Sequence, residues 1–129
     1  MFIKYKPAYK KIAMGLLSYM PEQKDVKDLQ DTIACYEENN DWQLYLWKEN
    51  EDIIGVLGLY HRGPDVVELK HICVNPSYRE EGIGKEMVHT IKERLDAELI
   101  PCEETAAFLG TCQRDKEQPS PEQPSKVSG

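Results

Sequence analysis

The residues Arg79-Glu80-Glu81-Gly82-Ile83-Gly84-Lys85 carry the chemistry most readily read from this chain. They follow a β-rich run, Val67 to Val74, and the proline turn Asn75-Pro76-Ser77-Tyr78, and they open into an amphipathic stretch. A glycine-bearing loop between strand and helix is a seat for an anion. The first N–H groups of a helix lack intrahelical partners, and the aligned peptide dipoles place partial positive charge there, so a phosphate is held by main chain alone. Gly82 and Gly84 remove the Cβ atoms that would hold a diphosphate off. Two common phosphate loops fail. The dinucleotide fingerprint needs Gly or Ala where this chain has Met87, and the P-loop needs Ser or Thr where it has Glu86 and Gly where it has Arg79.

The elements that must present this loop are legible around it. Phe2 to Tyr5 predicts a first strand, and Tyr9, Ile12, Ala13, Leu16, Leu17 and Met20 recur at helical spacing until Pro21. Val26, Leu29, Ile33 and Tyr36 predict a second helix, stopped by Asn39 and Asn40. Trp42 to Trp47 and Ile53 to Tyr60 predict a hairpin turning over Lys48 to Asp52. Arg62 to Asp65 turns the chain into Val66 to Val74, the third strand of a meander and a central one. Ile83, Met87, Val88, Ile91 and Leu95 form the stripe of the next helix, and a short strand follows at about Ala97 to Ile100. Strand, helix and strand in succession favour a right-handed crossover with parallel strands, which sets the glycine loop at the mouth of a cleft beyond their carboxyl ends. A last helix is expected over 103–112, and the Pro, Ser, Gln and Glu content from Arg114 predicts a disordered tail. The expected division is therefore one domain over 1–113 and a tail over 114–129.

Composition narrows the function classes. A chain of 129 residues is one domain by length. Its longest apolar or glycine run, Ile53 to Tyr60, is too short to cross a bilayer, and no secretory pattern opens the chain, so a cytoplasmic protein without membrane contact is expected. Cys35, Cys73, Cys102 and Cys112 show no C-x-x-C pairing and the three histidines no ligand spacing, so reduced thiols and no metal are expected. A net charge of −7 argues against nucleic acid. Residues 79–94 nonetheless balance Arg79, Lys85, Lys92 and Arg94 against Glu80, Glu81, Glu86 and Glu93, so an anionic cofactor meets least repulsion there.

Arg-x-x-Gly-x-Gly after a Val-x-Pro strand end resembles the pyrophosphate loop of the GNAT acetyltransferase superfamily, and Met1 to Gln113 is similar to a short domain of that kind. Within the superfamily it resembles a small acetyltransferase encoded among riboflavin-biosynthesis genes of Gram-positive bacteria. The resemblance implies an α/β (α+β) fold: a mixed central sheet with antiparallel N-terminal strands, a parallel pair splayed at the cofactor cleft, and helices on both faces. It implies acetyl-CoA as co-substrate, with main-chain groups of Ile72, Cys73 and Val74 along the pantetheine arm. The N–H groups of Glu80, Glu81, Gly82, Ile83, Gly84 and Lys85 would then hold the diphosphate, beside Arg79. The family continues into two further strands that this sequence does not supply, so the domain is expected to be C-terminally shortened, which allows a homodimer whose second subunit completes the acceptor site.

Acyl transfer to an amine also needs a base for the amine's proton and a proton for the departing thiolate. Glu68 stands eleven residues before Arg79, the spacing at which histone-type relatives carry a general-base glutamate. Strand alternation predicts that Glu68, Lys70, Ile72 and Val74 share one face, with His71, a weaker base candidate, on the other. Lys70 offers Glu68 the plain alternative of a structural ion pair. Many relatives carry Asn-x-x-Ala-x-x-Phe-Tyr on the last helix, where the tyrosine protonates the thiolate. Here Phe108 matches, but Cys102 stands at the Asn position and Leu109 at the Tyr position. Cys112, one turn on from Phe108, reads better as packing than as a donor, and Tyr78 as a turn residue packed over the loop. The expected activity is transfer of an acetyl group to an amine of a small molecule or protein, with an acyl-CoA sensor without turnover as the alternative.

Overall fold

The computed structural model describes residues 1–20, 25–102 and 105–106, the side chains of Arg79 and Glu80 excepted. Five strands form one sheet in the order of the sequence: β1 (Phe2–Lys4), β2 (Trp42–Glu49), β3 (Asp52–His61), β4 (Val66–Val74) and β5 (Glu98–Pro101). The first four are antiparallel neighbours and β5 runs parallel to β4, the mixed arrangement expected. Helices α1 (Lys10–Leu17) and α2 (Val26–Glu38) cover one face, and α3 (Ile83–Arg94), the crossover helix, covers the other.

Two apolar layers result. On the α1/α2 face, Ala13, Leu16, Leu17, Leu29 and Ile33 meet Leu44, Leu46, Val56 and Cys73. On the α3 face, Ile83, Met87, Val88 and Ile91 meet Leu57, Leu59, Val67, Leu69 and Leu99. β3 is buried on both sides from Ile54 to Leu59, which is why its sequence reads as a continuous apolar run rather than an alternating one. The hairpin turn is tighter than the expected 48–52: the strands run on to Glu49 and resume at Asp52, because Asn50 takes the left-handed conformation (φ 55°) that closes a short connection. β4 is the third strand of the meander and lies inside the sheet between β3 and β5; the middle position belongs to β3.

Of the expected sharing of a face by Glu68, Lys70, Ile72 and Val74, the first pair stays together, and a bulge turns Ile72 and Val74 to the other side. Gly58 pairs with His71 and the next residue of β3, Leu59, with Leu69, so Lys70 is an extra residue on β4. Val67, Leu69, Ile72 and Val74 therefore face α3, while Glu68, His71 and Cys73 face α1 and α2. His71 thus lies on the same face as Glu68, not the opposite one. The expected last helix, including Phe108, Leu109 and Cys112, and the 113/114 boundary lie outside the described residues, save Thr105 and Ala106.

Candidate functional site

The parallel ladder between β4 and β5 runs only from Val66↔Glu98 to Leu69↔Pro101, whereas β4 continues to Val74. The strands part at Lys70. The turn after β5 plugs the base of the gap: Thr105 Oγ1 donates to the Leu69 carbonyl at 2.7 Å and accepts the Cys102 N–H at 3.0 Å, and Cys102 Sγ lies 3.6 Å from the Lys70 carbonyl. Neither residue was anticipated in this role; a Thr four residues after a strand end is too common a pattern to single out. Ile72, half-buried on the α3 face, and Cys73 and Val74, both buried, make up the stretch of β4 beyond the ladder, where the pantetheine arm was expected.

Past Val74 the chain is held to β3 by Asn75 N–H on the Ile54 carbonyl at 2.7 Å. Asn75 then shapes the turn, its Oδ1 accepting the Ser77 N–H (2.9 Å) and its carbonyl the Tyr78 N–H (2.8 Å). A 3-10 helix, Pro76–Glu81, follows where an open loop was expected, and Tyr78 packs over it against the α3 core. Gly82 ends it in the left-handed conformation (φ 75°, ψ 14°) and is at once the N-cap of α3. No side chain caps that helix, and its first ladder bond is Glu86 N–H to the Gly82 carbonyl at 3.1 Å.

The loop residues divide by role. Ile83 is buried in the α3 core and anchors the helix start, Gly84 sits half-buried in its first turn, and Glu81, Gly82 and Lys85 are exposed. Arg79 and Glu80 contribute backbone to the 3-10 helix, and their side chains, like Phe108, are outside what is described. The arrangement meets the requirements of a diphosphate seat: a left-handed glycine that keeps Cβ atoms away, then an uncapped helix start beyond the carboxyl end of a parallel strand.

Glu68 lies at the other end of the parting, on the α1/α2 face and paired across the ladder with Tyr60. Its carboxylate is 16 % exposed, 3.9 Å from Lys70 Nζ, and Lys70 Nζ lies 5.4 Å from the centre of the Trp42 ring. Trp42 packs against Tyr60 (ring centroids 5.3 Å) and edge-on against Tyr36 (5.3 Å). Tyr36 in turn hydrogen-bonds the buried His71 through its hydroxyl and Nδ1. A Cβ on Gly58 would fall on the Tyr36 hydroxyl, so the bare strand position makes room for this pair. Sequence reading missed Trp42, Tyr36 and Tyr60; an isolated glycine inside a strand, which marks close approach or a bulge, was the available signal. Among the described residues no cluster of His, Cys, Asp and Glu is arranged to hold a metal, and no helix is long and apolar enough to cross a membrane.

With this geometry in view, a sequence profile of the Acetyltransferase (GNAT) family matches residues 10–119. A Bacillus methanolicus protein described as an uncharacterized N-acetyltransferase in the lysA 3′ region is 54 % identical over 114 residues, covering 88 % of this chain and 95 % of that protein. In shape the chain is similar to a GNAT family acetyltransferase from Elizabethkingia anophelis solved with acetyl-CoA bound (TM-score 0.67, 21 % identity, 89 % of this chain and 73 % of the other). It is also similar to an aminoglycoside 6′-N-acetyltransferase complexed with coenzyme A (TM-score 0.60, 18 % identity, 73 % and 54 %). These two likenesses speak for the fold.

Proposed function

The chain belongs to the acetyltransferase (GNAT) family and is an acetyl-CoA-dependent N-acetyltransferase, and from that premise we propose that Glu68 is its general base and the β4 edge with the Gly82 loop its coenzyme seat. The observation that carries the reading is the alignment of three features along one strand. Glu68 precedes the point where β5 leaves β4, the stretch 72–74 beyond the β5 ladder follows it, and Gly82 with the uncapped start of α3 lies beyond. An extended thiol arm laid along residues 72–74 from a diphosphate at Gly82 would bring its thioester towards Lys70 and Glu68.

In that reading the amine enters on the α1/α2 face and gives its proton to Glu68, directly or through one water, and its lone pair attacks the thioester carbon. The C–N bond forms, the C–S bond breaks, and the thiolate leaves and takes up a proton. Main-chain groups at the parting orient the acetyl group. A half-buried carboxylate beside the parting favours turnover over a sensing role. The acceptor is an amine of a small molecule or protein. The resemblance to riboflavin-gene enzymes would make it a flavin-pathway amine, whereas the Bacillus methanolicus relative is named for its place beside lysA. A cytoplasmic location and a second subunit that completes the acceptor side belong to the same proposal.

The test has two arms. Acetyl-CoA and coenzyme A should raise the thermal midpoint, since a ligand at 100 times its dissociation constant adds about 2.7 kcal/mol, and Gly82→Glu should abolish the shift. A shift with NAD or ATP alone would sink the loop assignment. Against an amine found by screening for released thiol, Glu68→Gln should keep acetyl-CoA affinity and lower turnover by about 10²- to 10⁴-fold. Unchanged turnover would remove Glu68 from the mechanism.

A further inference from the structure

We propose that Lys70 is an internal acetyl acceptor: its amine lies a small side-chain rotation from the place the acceptor amine must take, and the enzyme acetylates it in cis when no other amine is present. The inference rests on the proposed role of Glu68. An amine served by a general base must lie within hydrogen-bond reach of it or one water away. Lys70 Nζ, in ion-pair contact with Glu68 Oε1 at 3.9 Å, is an amine that a small side-chain rotation brings into that reach. It also lies 5.4 Å from the centre of the Trp42 ring, so one carboxylate and one aromatic face together hold an ammonium group. Its side chain is 26 % exposed, enough to move the short distance an attack requires.

The backbone points the same way. Lys70 is the extra residue of the β4 bulge, and it sits where the β4–β5 ladder ends. Strand alternation sets the lysine on the face that carries Glu68, and the bulge, which turns only the residues after it, leaves it there at the position where the thioester is expected. The step balances. Lys70 passes one proton to Glu68 and attacks the thioester carbon of acetyl-CoA. The new C–N bond replaces the C–S bond, coenzyme A leaves as the thiol, and one proton is released to solvent. The product lysine is neutral, so the Glu68 ion pair and the cation over Trp42 are lost together.

The experiment incubates the full chain with acetyl-CoA and no added amine, then reads each lysine by peptide mass spectrometry. A gain of about 42 Da should appear first on Lys70. The built-in control is Lys27, whose amine is also 3.2 Å from a carboxylate, Asp31, but is 80 % exposed and far from the parting. Lys70 should label faster than Lys27, at a rate independent of protein concentration, and Glu68→Gln should slow Lys70 by about 10²-fold while leaving Lys27 unchanged. Calorimetry on both proteins monitors acetyl-CoA binding. Binding with Lys70 labelled no faster than Lys27, labelling that survives Glu68→Gln, or a rate that rises with protein concentration would overturn the inference. Absence of acetyl-CoA binding would instead bring down the coenzyme seat, and the inference with it.

Discussion

Two glycines, 82 and 58, do opposite things. Gly82 supplies a backbone conformation: its φ of 75° is the left-handed region, and a Cβ there would meet no atom within 4 Å. Gly58 supplies space, because the Tyr36 hydroxyl fills the volume its side chain would take and is held there by His71. Gly58→Ala should therefore lower stability by about 1–3 kcal/mol, as overpacking does, and a denaturant melt with circular dichroism checks it. A midpoint within error of the parent would show that the ring can swing aside at no cost. The two glycines were not equally legible. Gly82 announced itself through Arg79, Gly84 and the preceding proline turn, a local pattern with a mechanism. Gly58 answers to Tyr36, a partner distant in sequence, and no local pattern reveals that.

Elements were legible where one face is apolar and the period unbroken. Of the α2 stripe Val26, Leu29, Ile33 and Tyr36, the last three are buried as their spacing implies and Val26, in the first turn, is exposed; the helix starts one residue after Asp25, whose carboxylate accepts the Asp28 N–H at 2.9 Å. Asp25→Ala should cost about 1 kcal/mol through loss of that cap, read as a lowered thermal midpoint, while Asp25→Asn should lose much less. β4 shows the limit of the same reasoning. Period-2 counting across residues 67–74 assumes that each residue has one partner, and the bulge breaks that assumption without changing residue type. Glu68 and Lys70 share a face as counted, whereas Ile72 and Val74 do not join them, because a bulge is fixed by pairing with β3.

At the scale of the molecule, the sheet separates the proposed coenzyme end from an acidic aromatic end. Asn75 binds the start of β3, beside Gly82 and α3, whereas Glu68, Tyr60, Trp42 and Tyr5 gather at the opposite end of the strands. There a cavity of about 210 Å³ is bounded by Tyr5, Tyr36, Glu37 and Trp42. Tyr5 donates to Glu37 Oε2 at 2.7 Å, and burial first, then that bond and the negative charge of Glu37, push its phenol well above the ordinary value of 10.0. The sign follows. Below about pH 10 both states keep the proton and the contribution is whole; above it the unfolded chain ionises first, so stability falls as pH rises towards the folded value. Tyr5→Phe should flatten that alkaline decline in melts taken across the range. An identical slope in the variant would assign the decline to other groups. The layered architecture followed from the order of strands and helices, whereas the gathering of residues at this end depends on strand lengths and register, which composition does not encode.

The bulge has a consequence for insertions and deletions. Leu59 and Gly58 are adjacent on β3, and their partners Leu69 and His71 would become adjacent if Lys70 were removed. Glu68, Leu69, His71 and Ile72 would all keep the faces they now have, and the ladder would close without a slip. Lys70 is thus a codon the sheet can lose in phase, whereas removal of a residue outside the bulge would turn part of the strand inside out.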